Sequence, residues 1–135
     1  MVLIGLDYGT KHMGVSVGDT ISKQAQPLSG FSYVNDGWFE PLQSIVEQWQ
    51  PEKIVIGLPL NADGSRQPLT DQVLTFVKVL EEKIGLPVVC VDERWSTVAA
   101  KANIYAAHKT HQVKKSMVDA ESARLILEQW LLENT

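Results

Sequence analysis

Val2-Leu3-Ile4-Gly5-Leu6-Asp7-Tyr8-Gly9-Thr10-Lys11-His12-Met13-Gly14-Val15-Ser16-Val17 opens the chain. Val2 to Leu6 is a short apolar run, Gly9 and Gly14 punctuate a turn, and Val15-Ser16-Val17 alternates, so the stretch predicts a hairpin of two strands. A third strand is expected between Leu28 and Val34, before Asn35-Asp36-Gly37 breaks the chain. Phe39, Leu42, Ile45, Val46 and Trp49 then recur at helical spacing until Pro51 ends the pattern. Ile54-Val55-Ile56 reads as a strand buried on both faces, and the polar loop Asn61 to Gln67 leads to Pro68, a favoured first helical residue. Val73, Leu74, Val77, Leu80 and Ile84 mark the second helix, with Gly85 as its C-cap. Pro87 to Val91 is the last strand. Helices are expected from about Ser96 to Ala107 and from Asp119 to Glu133, the latter with Leu125, Ile126, Trp130 and Leu131 as its core face.

Three strands followed by alternating helices and strands predict an α/β fold, a mixed sheet with helices on both faces. The 135 residues, 44% of them apolar, suit one domain over 1–135 with one core. No apolar run approaches the roughly 18 residues of a membrane span, and the start lacks a basic n-region and a small-residue cleavage site, so a cytosolic protein with no membrane partner is expected. The single cysteine, Cys90, rules out a disulfide framework or a cysteine-ligated zinc site, and within Val88-Val89-Cys90-Val91 it reads as a small buried hydrophobe.

A net charge of −4 argues against nucleic acid on average, because phosphate binding rests on lysine and arginine releasing counterions. The charge is unevenly spread, however. From Arg94 to Val118 the chain carries Arg94, Lys101, Lys109, Lys114 and Lys115, two histidines and no carboxylate. A basic segment thus lies on an acidic body, either a phosphate-binding surface or a solvated face.

Three constellations carry chemistry. Asp7 stands at the end of the first strand among glycines that let backbone approach a ligand; it serves as an oxygen ligand or as a turn aspartate bonding backbone. Asp92-Glu93-Arg94 follows the last apolar strand, at the edge where open α/β sheets bind ligands. Both parities of that strand are apolar, so burial does not choose between the two acids, and reach favours Glu93 by one methylene. Lys114-Lys115-Ser116-Met117-Val118-Asp119 opens the last helix, placing Asp119 where the helix dipole favours an anion. Acids from these three places can converge at one pole of the sheet, and close carboxylates repel unless a divalent cation neutralises them. Hard oxygen ligands select Mg²⁺ or Mn²⁺. No P-loop, nucleophile elbow or His-Glu-x-x-His motif competes.

Gly5-x-Asp7-x-Gly9-x-Lys11-x-x-Gly14, Ile56-Gly57-Leu58-Pro59-Leu60-Asn61-x-x-Gly64-Ser65, Asp92-Glu93-Arg94 and Lys115-x-x-x-Asp119, in this order, resemble the YqgF/RuvX family across essentially the whole chain. That family has an RNase H-like fold and is described both as Holliday junction resolvases and as pre-16S rRNA nucleases. The resemblance implies a five-stranded sheet and an acidic triad of Asp7, Glu93 and Asp119 holding Mg²⁺ or Mn²⁺ for phosphodiester hydrolysis. His12 stands where arginine is frequent in the family. Lys11, His12, Arg66, Arg94, Lys114 and Lys115 are then candidates to position a nucleic-acid backbone, with Asn61 and Ser65 as further phosphate contacts. The partner would be structured nucleic acid, precursor rRNA or branched DNA, met by a monomer or a homodimer. Two rival readings are a nucleotide-binding module, since Asp7-x-Gly9-Thr10 also resembles the first phosphate loop of actin-like and sugar-kinase ATPases, and a non-catalytic RNA-binding or regulatory factor with a nuclease fold.

Overall fold

Strand β1 (Val2–Tyr8) alternates its side chains between two packed layers, and the molecule is built around that division. A computed structural model describes residues 1–92 and 114–134. Within them β2 (His12–Asp19) and β3 (Gln24–Ser32) continue a meander, α1 (Phe39–Trp49) leads to β4 (Lys53–Leu58), α2 (Pro68–Ile84) to β5 (Val88–Asp92), and α3 (Lys115–Glu133) closes the chain. The sheet order is β3-β2-β1-β4-β5. β1 pairs antiparallel with β2 and parallel with β4, and β4 pairs parallel with β5, so the mixed five-stranded sheet is present as expected.

Ile4 and Leu6 point into a layer with Met13, Val15, Ile54 and Ile56, covered by Leu42 of α1 and by Val73, Phe76 and Leu80 of α2. Leu3, Val55 and Val91 point the other way, against Ile126, Leu127 and Leu131 of α3. The expected single core is therefore two, because a sheet buried on both faces separates the side chains it carries. On the α3 side the strands present very small residues. A Cβ at Gly14 would lie 1.9 Å from the Asp119 carbonyl oxygen, one at Gly30 2.6 Å from that of Ser116, and one at Gly5 2.8 Å from the Leu127 Cβ. Ser16, buried among them, donates its hydroxyl to the Ala123 carbonyl at 2.7 Å.

Several boundaries differ from the sequence reading. β3 begins at Gln24, not near Leu28, because Gln24 and Gln26 lie exposed on an edge strand, where polar residues carry no apolar signal. α3 begins at Lys115, four residues before Asp119; its N-cap, Lys114, makes no side-chain cap and so gives no capping signature. Its inner face is Val118, Ser122, Ala123, Ile126, Leu127 and Leu131, with Leu125 and Trp130 only half-buried. Gly14 lies inside β2 instead of in the turn. Cys90 is exposed, because β5 is an edge strand whose Cys90 position escapes cover. The helix expected from about Ser96 to Ala107 lies outside the described residues. No helix among the described residues is long and apolar enough to cross a membrane.

Candidate active site

β1, β4 and β5 run parallel, so Tyr8, Leu58 and Asp92 end at the same pole of the sheet, the position where open α/β sheets place ligands. The start of α3 reaches that pole too, since Ser116 lies against Gly30 and Asp119 against Gly14. Asp7 shares strand parity with Leu3 and Gly5, both of which pack on α3, and it pairs in register with Gly14. Directly facing residues of antiparallel strands hold their Cβ positions about 4.5–5.5 Å apart. Asp7 therefore stands beside the strand position over which the Asp119 backbone lies. The missing side chain of Gly14 is what lets the Asp119 backbone lie against β2 beside Asp7.

Asp119 is 6% exposed. Its Oδ1 takes an ion pair from Lys115 Nζ at 2.9 Å, and its Oδ2 is buried with no hydrogen-bond partner. A buried carboxylate oxygen without a donor is costly unless something electropositive meets it. Asp119 lies in the second turn of α3 and not, as its sequence position suggests, in the first, so Lys115 compensates it in place of the helix terminus. A hard divalent cation fits this donor set, two carboxylates on one face of the sheet with an unpartnered buried oxygen between the layers.

The third expected acid, Glu93, lies outside the described residues with Arg94. The strand before it alternates between the two layers. Val89 and Val91 belong to the α3-side core and Val88 to the opposite one, so Asp92 takes the α2 side, away from Asp7. Among the described residues no group of three His, Cys, Asp or Glu side chains forms a metal-binding cluster.

The candidate phosphate contacts divide into two sets. Lys11, His12, Lys114 and Lys115 are exposed around the carboxylate pole. Asn61, Ser65 and Arg66 instead hold their own loop. Asn61 Nδ2 donates to Ser65 Oγ at 3.0 Å and to the Arg66 carbonyl at 3.3 Å, Ser65 Oγ donates to Asp63 Oδ1 at 2.6 Å, and Arg66 pairs with Asp71 at 3.2 Å. The Thr70 hydroxyl, buried in the first turn of α2, donates to the Pro59 carbonyl and ties that loop down. Across the pole the Tyr33 hydroxyl donates to the Gly9 carbonyl, bracing the turn after Asp7. Burial pushes the Tyr33 phenol well above its ordinary pKa, with Tyr8 adding to the rise, so it stays a neutral donor.

Sequence reasoning missed the role of Gly14, Ser16 and Gly18. Small residues at every second position of one strand are the signal that a helix packs unusually close.

Against known proteins, a model described as "RuvX: Holliday junction resolvase" matches residues 1–133. The chain belongs to the RuvX family. A protein of Edwardsiella ictaluri named "Putative pre-16S rRNA nuclease" is 40% identical over 131 residues, covering 95% of this chain and 92% of that one. A relative of the same name from Glaesserella parasuis is 44% identical over 131 residues, covering 95% and 94%. Among solved structures, Thermus thermophilus RuvC in complex with a Holliday junction substrate superposes with a TM-score of 0.57 at 16% identity, over 98% of this RuvX chain and 95% of that one. Fowlpox virus resolvase, solved with junction DNA, gives 0.51 at 10% identity over 98% and 99%. At such identities the two structures establish a shared fold, RuvC-like and RNase H-like, and the family relation makes the chain a member of a nuclease family.

Proposed function

We propose that this RuvX chain is a Mg²⁺- or Mn²⁺-dependent endonuclease that hydrolyses a phosphodiester bond in structured RNA, processing the 5′ end of precursor 16S rRNA. The observation that carries the reading is the buried Asp119 with its unpartnered Oδ2 on the face of the sheet that also holds Asp7. The names of the relatives favour precursor rRNA over branched DNA as substrate. A monomer suffices to trim an RNA end, whereas resolving a four-way junction calls for a two-fold dimer. A cytosolic location suits such a substrate.

Asp7, Asp119 and Glu93 would hold the metal, the three acids that the family resemblance points to. When bound, the metal supplies an activated water and stabilises the leaving oxygen. The residues of the chain do the rest. Asp7 at the end of β1 and Asp119 in α3 present their carboxylates on one face of the sheet, Lys115 holds Asp119 in place, and Lys11, His12, Lys114 and Arg94 draw the phosphate backbone toward the carboxylates without reading sequence.

The test is a cleavage panel of precursor 16S rRNA, duplex RNA and four-way junction DNA, each with Mg²⁺ and with Mn²⁺, run beside Asp7→Asn. Cleavage of the precursor that disappears in the variant supports the reading. Cleavage confined to the junction moves the substrate to branched DNA, and metal binding with no turnover on any substrate makes the chain a non-catalytic RNA-binding factor.

A further inference from the structure

Asp7 and Tyr8 are neighbours in β1, with Cα atoms about 3.8 Å apart, yet strand alternation sends their side chains to opposite faces of the sheet. Asp7 faces α3. Tyr8 belongs to the α1–α2 side, where it lines an open cleft of about 440 Å³ with Asp71, Gln72, Thr75, Phe76 and Val79. The Tyr8 and Phe76 rings stack at 4.5 Å between centroids with 28° between planes. Phe76 in turn meets Trp38 edge-on at 4.8 Å and is 7% exposed, so the aromatic platform is anchored in the core. None of this aromatic surface is used by the carboxylate chemistry.

We infer that this cleft takes one unpaired nucleobase of the substrate strand, next to the phosphate held at Asp7. The inference rests on the nuclease reading above. A strand whose phosphate sits at the end of β1 reaches the cleft by crossing the sheet edge beyond Tyr8, and the stacked Tyr8–Phe76 pair supplies an apolar bed for a planar base. The rim is polar. Gln72 both donates and accepts hydrogen bonds and Thr75 carries a hydroxyl, while the exposed Arg66, paired with Asp71, brings a cation to the same edge. Stacking on an aromatic platform tolerates any base, because every base has a π-face. A base inside a duplex cannot enter the cleft, so this site selects cuts beside unpaired nucleotides.

The experiment uses the full chain with a hairpin RNA and a four-way DNA junction, each carrying 5-iodouracil at one unpaired position at a time. Irradiation followed by mass spectrometry maps the crosslinks. The expected result is attachment at Tyr8 from one position beside the cut, lost in Thr75→Glu, which fills the cleft from an exposed position. An abasic site at that nucleotide should raise KM between about five- and a hundredfold with kcat retained, and should add nothing further in Thr75→Glu. Binding or cleavage without a Tyr8 crosslink, or with KM indifferent to every abasic position, overturns the base site and leaves the nuclease reading standing. A chain that neither binds nor cuts overturns both.

Discussion

Lys115 Nζ sits 2.9 Å from Asp119 Oδ1, one helical turn away, with 59% of the lysine side chain exposed and 9% of the aspartate. The pair is half in water and half in the protein, and it neutralises one oxygen of a carboxylate whose other oxygen has no partner.

Lys115→Ala should therefore cost about 1–2 kcal/mol, between an exposed pair and a broken buried one. If a divalent cation meets the same carboxylate, Mn²⁺ should recover more of the melting temperature in the variant than it adds to wild type. Thermal melts with and without Mn²⁺ check this; an equal deficit in both conditions would separate Lys115 from the metal site.

Asp7→Asn keeps the shape of the side chain and removes its charge. Turnover should fall to less than about a tenth of wild type, since a lost metal ligand raises the barrier by several kcal/mol. The apo melting temperature should hold or rise, as one member of a repulsive carboxylate group is gone. Single-turnover kinetics and calorimetry on the same preparation read both.

Gly14→Ala puts a Cβ 1.9 Å from the Asp119 carbonyl oxygen, so α3 has to move and about 3 kcal/mol or more of stability should be lost, together with activity. Gly85→Ala is the control. Its Cβ would meet nothing within 4 Å, but φ of +79° makes the C-cap strained for alanine, at a cost of about 1 kcal/mol and no effect on turnover. Urea unfolding of both variants reads the difference.

Asp92 takes the α2 side of β5, away from Asp7, so Asp92→Asn should leave substantial turnover and mainly lower the melting temperature. Glu93→Gln should remove metal-dependent activity without loss of stability. Rates that fall in the first variant and persist in the second would move the metal ligand to Asp92.

Cys90 lies exposed on the edge strand, but partial burial of its thiol, with the Glu81 carboxylate adding to it, pushes its pKa up. Iodoacetamide should modify it slowly at neutral pH and faster in alkali, with Glu81→Gln speeding the reaction. A thiol raised in the folded state binds its proton more tightly there than in the unfolded chain. Its contribution to stability is thus complete below the unfolded thiol pKa, about 8.5, and is lost as pH rises through the folded value. Alkylation rates followed by mass spectrometry test the assignment.

Local chemistry made much of this protein legible. The periodicity of Phe39 to Trp49, Pro68 and Gly85 at the ends of α2, and the apolar runs of β1, β4 and β5 specify their elements directly, and four short motifs in order point to the RuvX family. The start of β3 escaped because edge-strand residues such as Gln24 and Gln26 face water, and the start of α3 because Lys114 makes no side-chain cap. Other properties exist only between elements. Val88, Val89, Cys90 and Val91 are all apolar, so the chain alone does not say which parity meets α3; the packing of Val89 and Val91 on α3 decides it, and with it that Asp92 turns away. Gly14 reads as a turn residue until α3 is laid across it, and Asp119 as a helix-start acid until Lys115 precedes it by one turn. Burial, register and the meeting of side chains remote in sequence depend on which surfaces face each other, and that is decided when the two layers close on the sheet.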